Sequence, residues 1–437
     1  MTVNPTVDVV VIGGGVAGSA AALECAKLGL AVTLLDDGRS TATRTIALGD
    51  VAGIDTGAES FSAGDVIDEM CTELGVQREV LRKRNTLLNT GVVTGPLPLE
   101  IVAGIPGNPF AAEIATFAPG ARFRAYADRV MPMLKIGRVH GLAALVKQRL
   151  GRKMLVGLTD PYCRAVYRLP ASEVDLDRIA PTFNSTLTSL GTLSGAALSV
   201  SAEPAEQLRV VGGMTTLTQA LHQQLENYAV TIAQRHIVAV ERAEEHWLVA
   251  DESGAVLRAR TVIAAVDPVG LGWPRPEGAD ALVEHRTIVT ALVRASQTTE
   301  ATGALWSDHA MLTGAAIADA RSEQLQQQLA DDQHVLQVTL REQPSNVDSI
   351  IAEAATLLGL GDVEVLEHDA HDWPVLRPWV GNADPVAGER VVDESETLEW
   401  TGQWVSGPGL ARTTTHAREA AQRIRRAAVE LRVGEHS

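Results

Sequence analysis

Gly13, Gly15 and Gly18 have the spacing G-x-G-x-x-G, and the next apolar run ends on Asp36 and Asp37. Glycines so spaced suit a pyrophosphate. The first makes a tight turn, the second lets backbone approach the phosphates, and the third lets a helix pack close to a strand. A helix beginning at Val16 and Ala17 aims its free N–H groups and partial positive charge at the same point. Asp36, 18 residues past Gly18, is placed to accept hydrogen bonds from a ribose 2′-OH and disfavours the 2′-phosphate of NADP. Such a glycine motif alone is a weak signal, since a plain βαβ unit can carry one. Here strand, turn, helix, strand and acid agree. Two other cations could hold an anion. Arg412 precedes the last helix, whose positive end repels it unless an anion lies nearby. Arg377, with Trp379, could meet a flat anionic ligand by charge and stacking, or be a packed surface pair. His368 and His371 beside Asp369 and Asp372 resemble a metal cluster, but the segment offers no further ligand. It reads as strand or loop, a polar loop being favoured over a metal site, and no metal is expected.

The elements that position these groups follow from the apolar pattern. Val9–Ile12 is an unbroken apolar run, read as a buried parallel strand. The helix from about Val16 to Leu28 carries Ala17, Ser19, Ala20 and Ala21, small enough to sit close to a sheet, and stops at Gly29. Ala31–Leu35 is the second strand, and Asp65–Leu74 an amphipathic helix ending at Gly75. Residues from Pro96 to Pro119 read as loop, with helices at Ala121–Leu134 and Gly141–Leu150. Leu97, Leu99, Ile101, Ile105 and Phe110 in that loop wall a pocket, touch a membrane or fill ordinary core. After Val210 come a Gly-Gly turn, a helix (Thr215–Asn227) and a strand (Val230–Ala233). A meander (Ile237–Arg242, Trp247–Asp251, Val256–Arg260) and a separate buried strand (Val262–Ala265) follow. This looks like the returning half of an FAD domain, with backbone near Val238 beside the adenine.

Thr287–Val293 and His334–Leu340 read as strands and Ser349–Leu358 as a helix of a substrate domain. Leu398–Gly402, a Gly-rich turn through Gly409 and Leu410, and a helix over Thr413–Val433 form a second strand–turn–helix. Its N-terminus can face the same cofactor. Two such elements at opposite ends of the chain point to FAD rather than NAD. The expected fold class is α/β: a Rossmann-like FAD-binding domain, a mixed-sheet substrate domain and a helical insertion. The FAD-binding domain takes residues 1–95, 206–270 and 386–437, the insertion 96–205 and the substrate domain 271–385.

Composition narrows the partners. A net charge of −17 disfavours a phosphate backbone, and 4% aromatic content leaves few stacking platforms, so nucleic acid is not expected. Cys25, Cys71 and Cys163 stand far apart and read as buried free thiols in a reducing compartment. The N-terminal stretch has neither a basic leader pattern nor an apolar span, so a cytoplasmic location is expected, with peripheral membrane contact left open.

VVIGGGVAG with Asp36, RTIALGDVAGIDTGAESF, Leu145 to Leu176, VVGGMTTLTQAL and TGQWVSGPGLA lie in the order found in one family. The chain resembles, over nearly its full length, the FAD-dependent protoporphyrinogen/coproporphyrinogen oxidases of heme biosynthesis, in the amine-oxidase superfamily. The resemblance implies a six-electron oxidation of a porphyrinogen. Hydride passes from a bridging carbon to the flavin, and oxygen reoxidises the flavin to give hydrogen peroxide. It also implies a tetrapyrrole substrate and handover of the product to a heme-pathway enzyme. Arg44 occupies the place of a basic residue near the flavin, where it could steady the pyrophosphate or a substrate carboxylate, or be a solvated surface arginine. The chain departs from the family at Ser40 to Thr43, where a glycine pair is missing, at Arg412, and over Val375 to Pro385. Two alternatives remain: an amine-oxidase-like flavoprotein of other substrate, and a non-catalytic FAD-fold binding protein like the Rab escort and GDP-dissociation inhibitor proteins.

Overall fold

β1 (Val7–Ile12) is buried along almost its whole length because strands flank it on both sides. The structure, a computed structural model, describes residues 7–38, 43–82, 85–129, 141–180, 182–201, 206–274, 283–295, 303–308, 311–376, 397–407 and 409–434. β1 pairs in parallel with β2 (Val32–Asp36) and with the strand Val256–Ala264. Thr231–Gln234 extends the sheet beyond β2, and the meander strands Ile237–Ala243 and His246–Asp251 extend it on the other side. The last strand, Leu398–Trp400, lies parallel to the far half of Val256–Ala264. This corrects one expectation: the third meander strand and the following buried strand are continuous. Its first residues pair antiparallel with His246–Asp251 and its last residues pair in parallel with Leu398–Trp400, so one strand serves two partners.

α1 (Val16–Ala26) is buried almost all round. It lies among the sheet, the helix Met214–Asn227 and the final helix Leu410–Gly434, in one core with Leu217, Leu221, Ala417, Ala421 and Ile424. Its run of alanines lets three neighbours approach. The chain leaves α1 at Ala26, two residues earlier than expected, and Gly29 follows at φ +74.

A second sheet runs in the order 363–376, 283–295, 333–340, 312–317, 304–307, 86–89, 94–96. All its pairs are antiparallel except Ala304–Ser307 with Thr86–Asn89. It is therefore mixed, and Thr86–Asn89 and Thr94–Pro96 belong to it, so the expected boundary at residue 95 falls inside this sheet. One face packs Val289, Ala291 and Val293 against Ile351, Ala354 and Ala355 of the helix Val347–Leu357. At one end of the other face, Leu292 and Val335 meet Leu48, Val51 and Ile54 of the hairpin Thr45–Leu48/Val51–Asp55.

The described residues between 114 and 201 are mainly helical around Leu142, Met154, Leu158 and Phe183. The buried Arg149 donates to Asp128 at 2.6 Å, and Asp128 also accepts from the Leu193 and Ser194 amides. The helix expected over Ala121–Leu134 is instead Arg122–Tyr126 followed by a 3-10 turn, Ala127–Arg129. Within the expected loop, Ile101–Val102 pairs with Ile105–Pro106. Leu97 and Ile105 are core, whereas Leu99 is 73% and Phe110 38% exposed. The three cysteines are free and buried.

Candidate functional site

The turn between β1 and α1 is closed so tightly that side chains do not fit. A Cβ on Gly18 would stand 1.9 Å from the Gly13 carbonyl oxygen and 3.2 Å from Ala265 Cβ. The third glycine is thus needed by the turn itself. Gly14, which the motif leaves variable, is equally constrained: a Cβ there would lie 2.4 Å from Asp36 Cγ. Asp36 therefore rests over the turn, its Oδ1 accepting from the Gly38 amide at 3.2 Å. Asp37 faces aside, toward His236 Nδ1 at 3.4 Å. Two contacts brace the Gly14 carbonyl: Ser19 Oγ donates to it at 3.0 Å, and His222 Nε2 lies 2.8 Å away. No side chain caps α1 and no acid stands in its first turn, so the N-terminal dipole at Val16 and Ala17 is uncompensated from within the helix.

The second strand–turn–helix converges on the same place. Thr401 N donates to Ala264 O, and a Cβ on Gly402 (φ +90) would lie 3.4 Å from Ala265 O. Ala265 is also the residue that Gly13 and Gly18 approach, so both turns meet on it. A short helix, Gln403–Ser406, intervenes, and the final helix begins at Leu410 rather than Thr413. Gly409 immediately precedes it. Arg412 is exposed in its first turn, with its guanidinium beside Gly407. In the meander, the ladder between Ile237–Ala243 and His246–Asp251 slips between Ile237 and Ala239. Val238 is the extra residue of a bulge, 41% exposed, and a bulge leaves main chain outside the ladder. These residues fit an adenine dinucleotide: a cradle without room for Cβ atoms, two converging helix N-termini, an acid over the turn, and open main chain beyond it.

Arg44 is engaged by the second sheet. Its Nη1 and Nη2 donate to Asp369 Oδ2 and Oδ1 at 2.5 and 3.0 Å, and Nη1 also reaches Thr56 Oγ1 at 3.3 Å and lies 3.4 Å from His371 Nδ1. The Arg44 guanidinium holds the Asp369 carboxyl below its usual range. Burial, and then the Arg44 charge, push the His371 pKa down. Asp55 of the D-x-G turn is buried and accepts from Thr45 Oγ1, the Met214 amide and Arg209, docking the helix Met214–Asn227 onto the hairpin. Burial raises its pKa, against the opposing pull of the Met214 amide and Arg209.

The EHDAHDW segment, left between strand and loop by its sequence, lies in the edge strand Val363–Leu376. Asp369, His371 and Trp373 sit opposite Thr290, Ile288 and Arg286 and share their face. No metal-ligating cluster occurs among the described residues. The alternation of these three residues was the signal for a strand that the histidines obscured. Arg377, Trp379, Lys135, Arg138 and His140 lie outside the described residues, as do residues 40–42 of the Ser40 to Thr43 departure.

The profile of the family described as Glucose inhibited division protein A matches residues 8–87. No curated protein matches the chain significantly. A solved structure provisionally assigned as a protoporphyrinogen oxidase, from Exiguobacterium sp. 255-15, is similar at 18% identity, with 95% of this chain and 98% of that chain covered and a TM-score of 0.78. Reduced UDP-galactopyranose mutase is similar at 14% identity, 96% and 94% coverage and a TM-score of 0.66. Cyclohexylamine oxidase from Brevibacterium oxydans IH-35A is similar at 16% identity, 98% and 100% coverage and a TM-score of 0.63. What these share with the chain is the fold. It is an α/β architecture with a Rossmann-like sheet closed by the last strand and helix, and a second mixed sheet beside it. FAD is the cofactor this architecture holds.

Proposed function

We propose that this chain is an FAD-dependent oxidoreductase that oxidises a porphyrinogen, coproporphyrinogen III or protoporphyrinogen IX, to the porphyrin with oxygen as acceptor. The observation that carries this reading is the TM-score of 0.78 over nearly the whole of both chains with the Exiguobacterium protein, against 0.63 for the amine oxidase. FAD, when bound, supplies the electron acceptor. The protein's own residues bind and orient: the β1–α1 turn and the Leu410 helix face the phosphates, and Asp36 the ribose. The chemistry of the second sheet also favours an anionic over an amine substrate. Its inner-face carboxylates are taken, Asp369 by Arg44 and Glu284 by Arg286 at 2.8 Å. Arg286 and Arg168 add positive charge there. The flat, carboxylate-bearing porphyrin product would be released to a following heme-pathway enzyme in a cytoplasmic setting. No helix among the described residues is long and apolar enough to cross a membrane. Leu99 and Phe110 are exposed apolar residues of the 96–119 stretch on which peripheral contact would fall.

The test is the visible spectrum of the purified protein with and without added FAD, followed by porphyrin fluorescence after aerobic mixing with each porphyrinogen. A flavin spectrum and fluorescence rising faster than autoxidation are expected. A flavin spectrum without turnover of either compound would remove the porphyrinogen reading and leave a flavoprotein of other substrate. Neither flavin nor turnover would favour the non-catalytic binding protein.

A further inference from the structure

Buried polar atoms without a partner cluster on one patch of the second sheet. Arg286 Nε, Thr290 Oγ1, His371 Nε2 and Trp373 Nε1 are all buried and make no hydrogen bond. They stand on the two adjacent strands Val283–Ala295 and Val363–Leu376, where Arg286 is paired with Trp373, Ile288 with His371 and Thr290 with Asp369. Directly opposed residues of an antiparallel pair place their Cβ atoms about 5 Å apart on one face, and successive members of that face are about 7 Å apart along a strand. The four groups thus form a compact set. Thr290 is fully buried, and the His371 side chain is 14% exposed. Leaving a donor or acceptor buried and unpaired is unfavourable, so four on one patch call for a ligand that completes them.

All four present hydrogen. The Arg286 and Trp373 nitrogens only donate, and a threonine hydroxyl can. His371 Nδ1 lies 3.4 Å from Arg44 Nη1, which has no lone pair to offer, so Nδ1 accepts and Nε2 carries the proton. We propose that Arg286, Thr290, His371 and Trp373 form the specificity face of the substrate site, donating hydrogen bonds to the carboxylates of an anionic ring substrate. Arg44 and Asp369 act through His371 as positioning residues: they fix its tautomer and so the direction of its donor. The naming of the substrate as a porphyrin-class polycarboxylate rests on the function proposed above. The donor face itself rests on the four atoms.

The test titrates FAD-loaded protein with coproporphyrin III, with its tetramethyl ester and with phthalate as a simple dicarboxylate, following tryptophan and porphyrin fluorescence. Wild type is expected to bind the free acid about tenfold more tightly than the ester. Thr290→Val and Trp373→Phe keep the side-chain shapes while deleting one donor each, and each is expected to weaken the acid about fivefold, with little effect on the ester. Without ligand, Thr290→Val is expected to raise the melting temperature, because an unpaired buried hydroxyl has gone. Unchanged acid affinity in both variants, or a Thr290→Val protein that melts lower, would overturn the donor face and leave the porphyrin reading standing. Phthalate binding that both variants weaken, with no binding of either porphyrin, would overturn the porphyrin reading and leave the donor face. Binding of none of the three probes would overturn both.

Discussion

Arg44→Gln and Asp369→Asn, singly and together, give the most direct test of the assignment of Arg44 to Asp369. The contact is bidentate and charge-assisted, at 2.5 and 3.0 Å, with the two side chains 34% and 28% exposed. A hydrogen bond to a charged group contributes about 1.5–3 kcal/mol, whereas a solvent-exposed ion pair contributes about 1 kcal/mol or less. One-third exposure puts this pair between the two, so a coupling of about 1.5 kcal/mol is expected from the double-mutant cycle. In a chain of 437 residues that corresponds to roughly 1.5–2 °C in melting temperature. The assay is thermal unfolding of all four proteins with FAD saturating, together with FAD affinity by fluorescence. Because Arg44 is engaged by the second sheet, each single variant should keep its FAD dissociation constant within about threefold. Arg44→Gln losing tenfold or more in FAD affinity while Asp369→Asn gains would refute the reasoning, for then the guanidinium serves the cofactor phosphates and Asp369 merely competes for it.

Two further outcomes follow from the same geometry. Gly18→Ala places a methyl 1.9 Å from a backbone oxygen, so the turn must open. FAD binding should be lost and stability reduced by about 3 kcal/mol or more, and a variant that still binds FAD within threefold of wild type would show the turn to be compliant. His371 has a lowered pKa in the folded protein, so the unfolded chain takes up its proton first as pH falls through about 6.5. Stability should therefore decline from there down to the folded pKa, and His371→Gln should flatten the decline in a denaturation series between pH 7 and 5. An equally steep decline in that variant would place the titrating group elsewhere.

The cofactor half of the fold was legible because its physics is local. Gly13, Gly15, Gly18 and Asp36 lie within one βαβ unit, and the spacing of apolar runs places each of them. Gly14 and Ala265 were not legible, since their roles arise only when distant turns meet: a generic position in the motif abuts Asp36, and a residue after a strand receives two glycine turns. The meander strand and the one after it were separated in reading because nothing in the residues 256–264 announces that the strand changes partners midway. Arg44 pairs with Asp369 across 325 positions of sequence, beyond the reach of any periodicity. Asp369, His371 and Trp373 did carry an alternating pattern, yet their polarity masked it: the strand is at an edge, and its inner face holds donors rather than hydrocarbon.

The last strand, Leu398–Trp400, and the helix after it close the first sheet, with Arg423 clasping Glu399 at 2.6 and 3.1 Å. On a ribosome, β1 and α1 emerge well before the residues that shield α1 and line the far side of the cradle, which arrive some 390 residues later. At roughly 5–20 residues per second, that is a delay on the order of tens of seconds. During it the alanine-rich flank of α1 has no cover, and the nascent chain depends on chaperones or on provisional packing to stay soluble. Cofactor loading is thereby postponed until that helix has emerged, so a product terminated before it would carry the glycine motif intact and still hold no flavin.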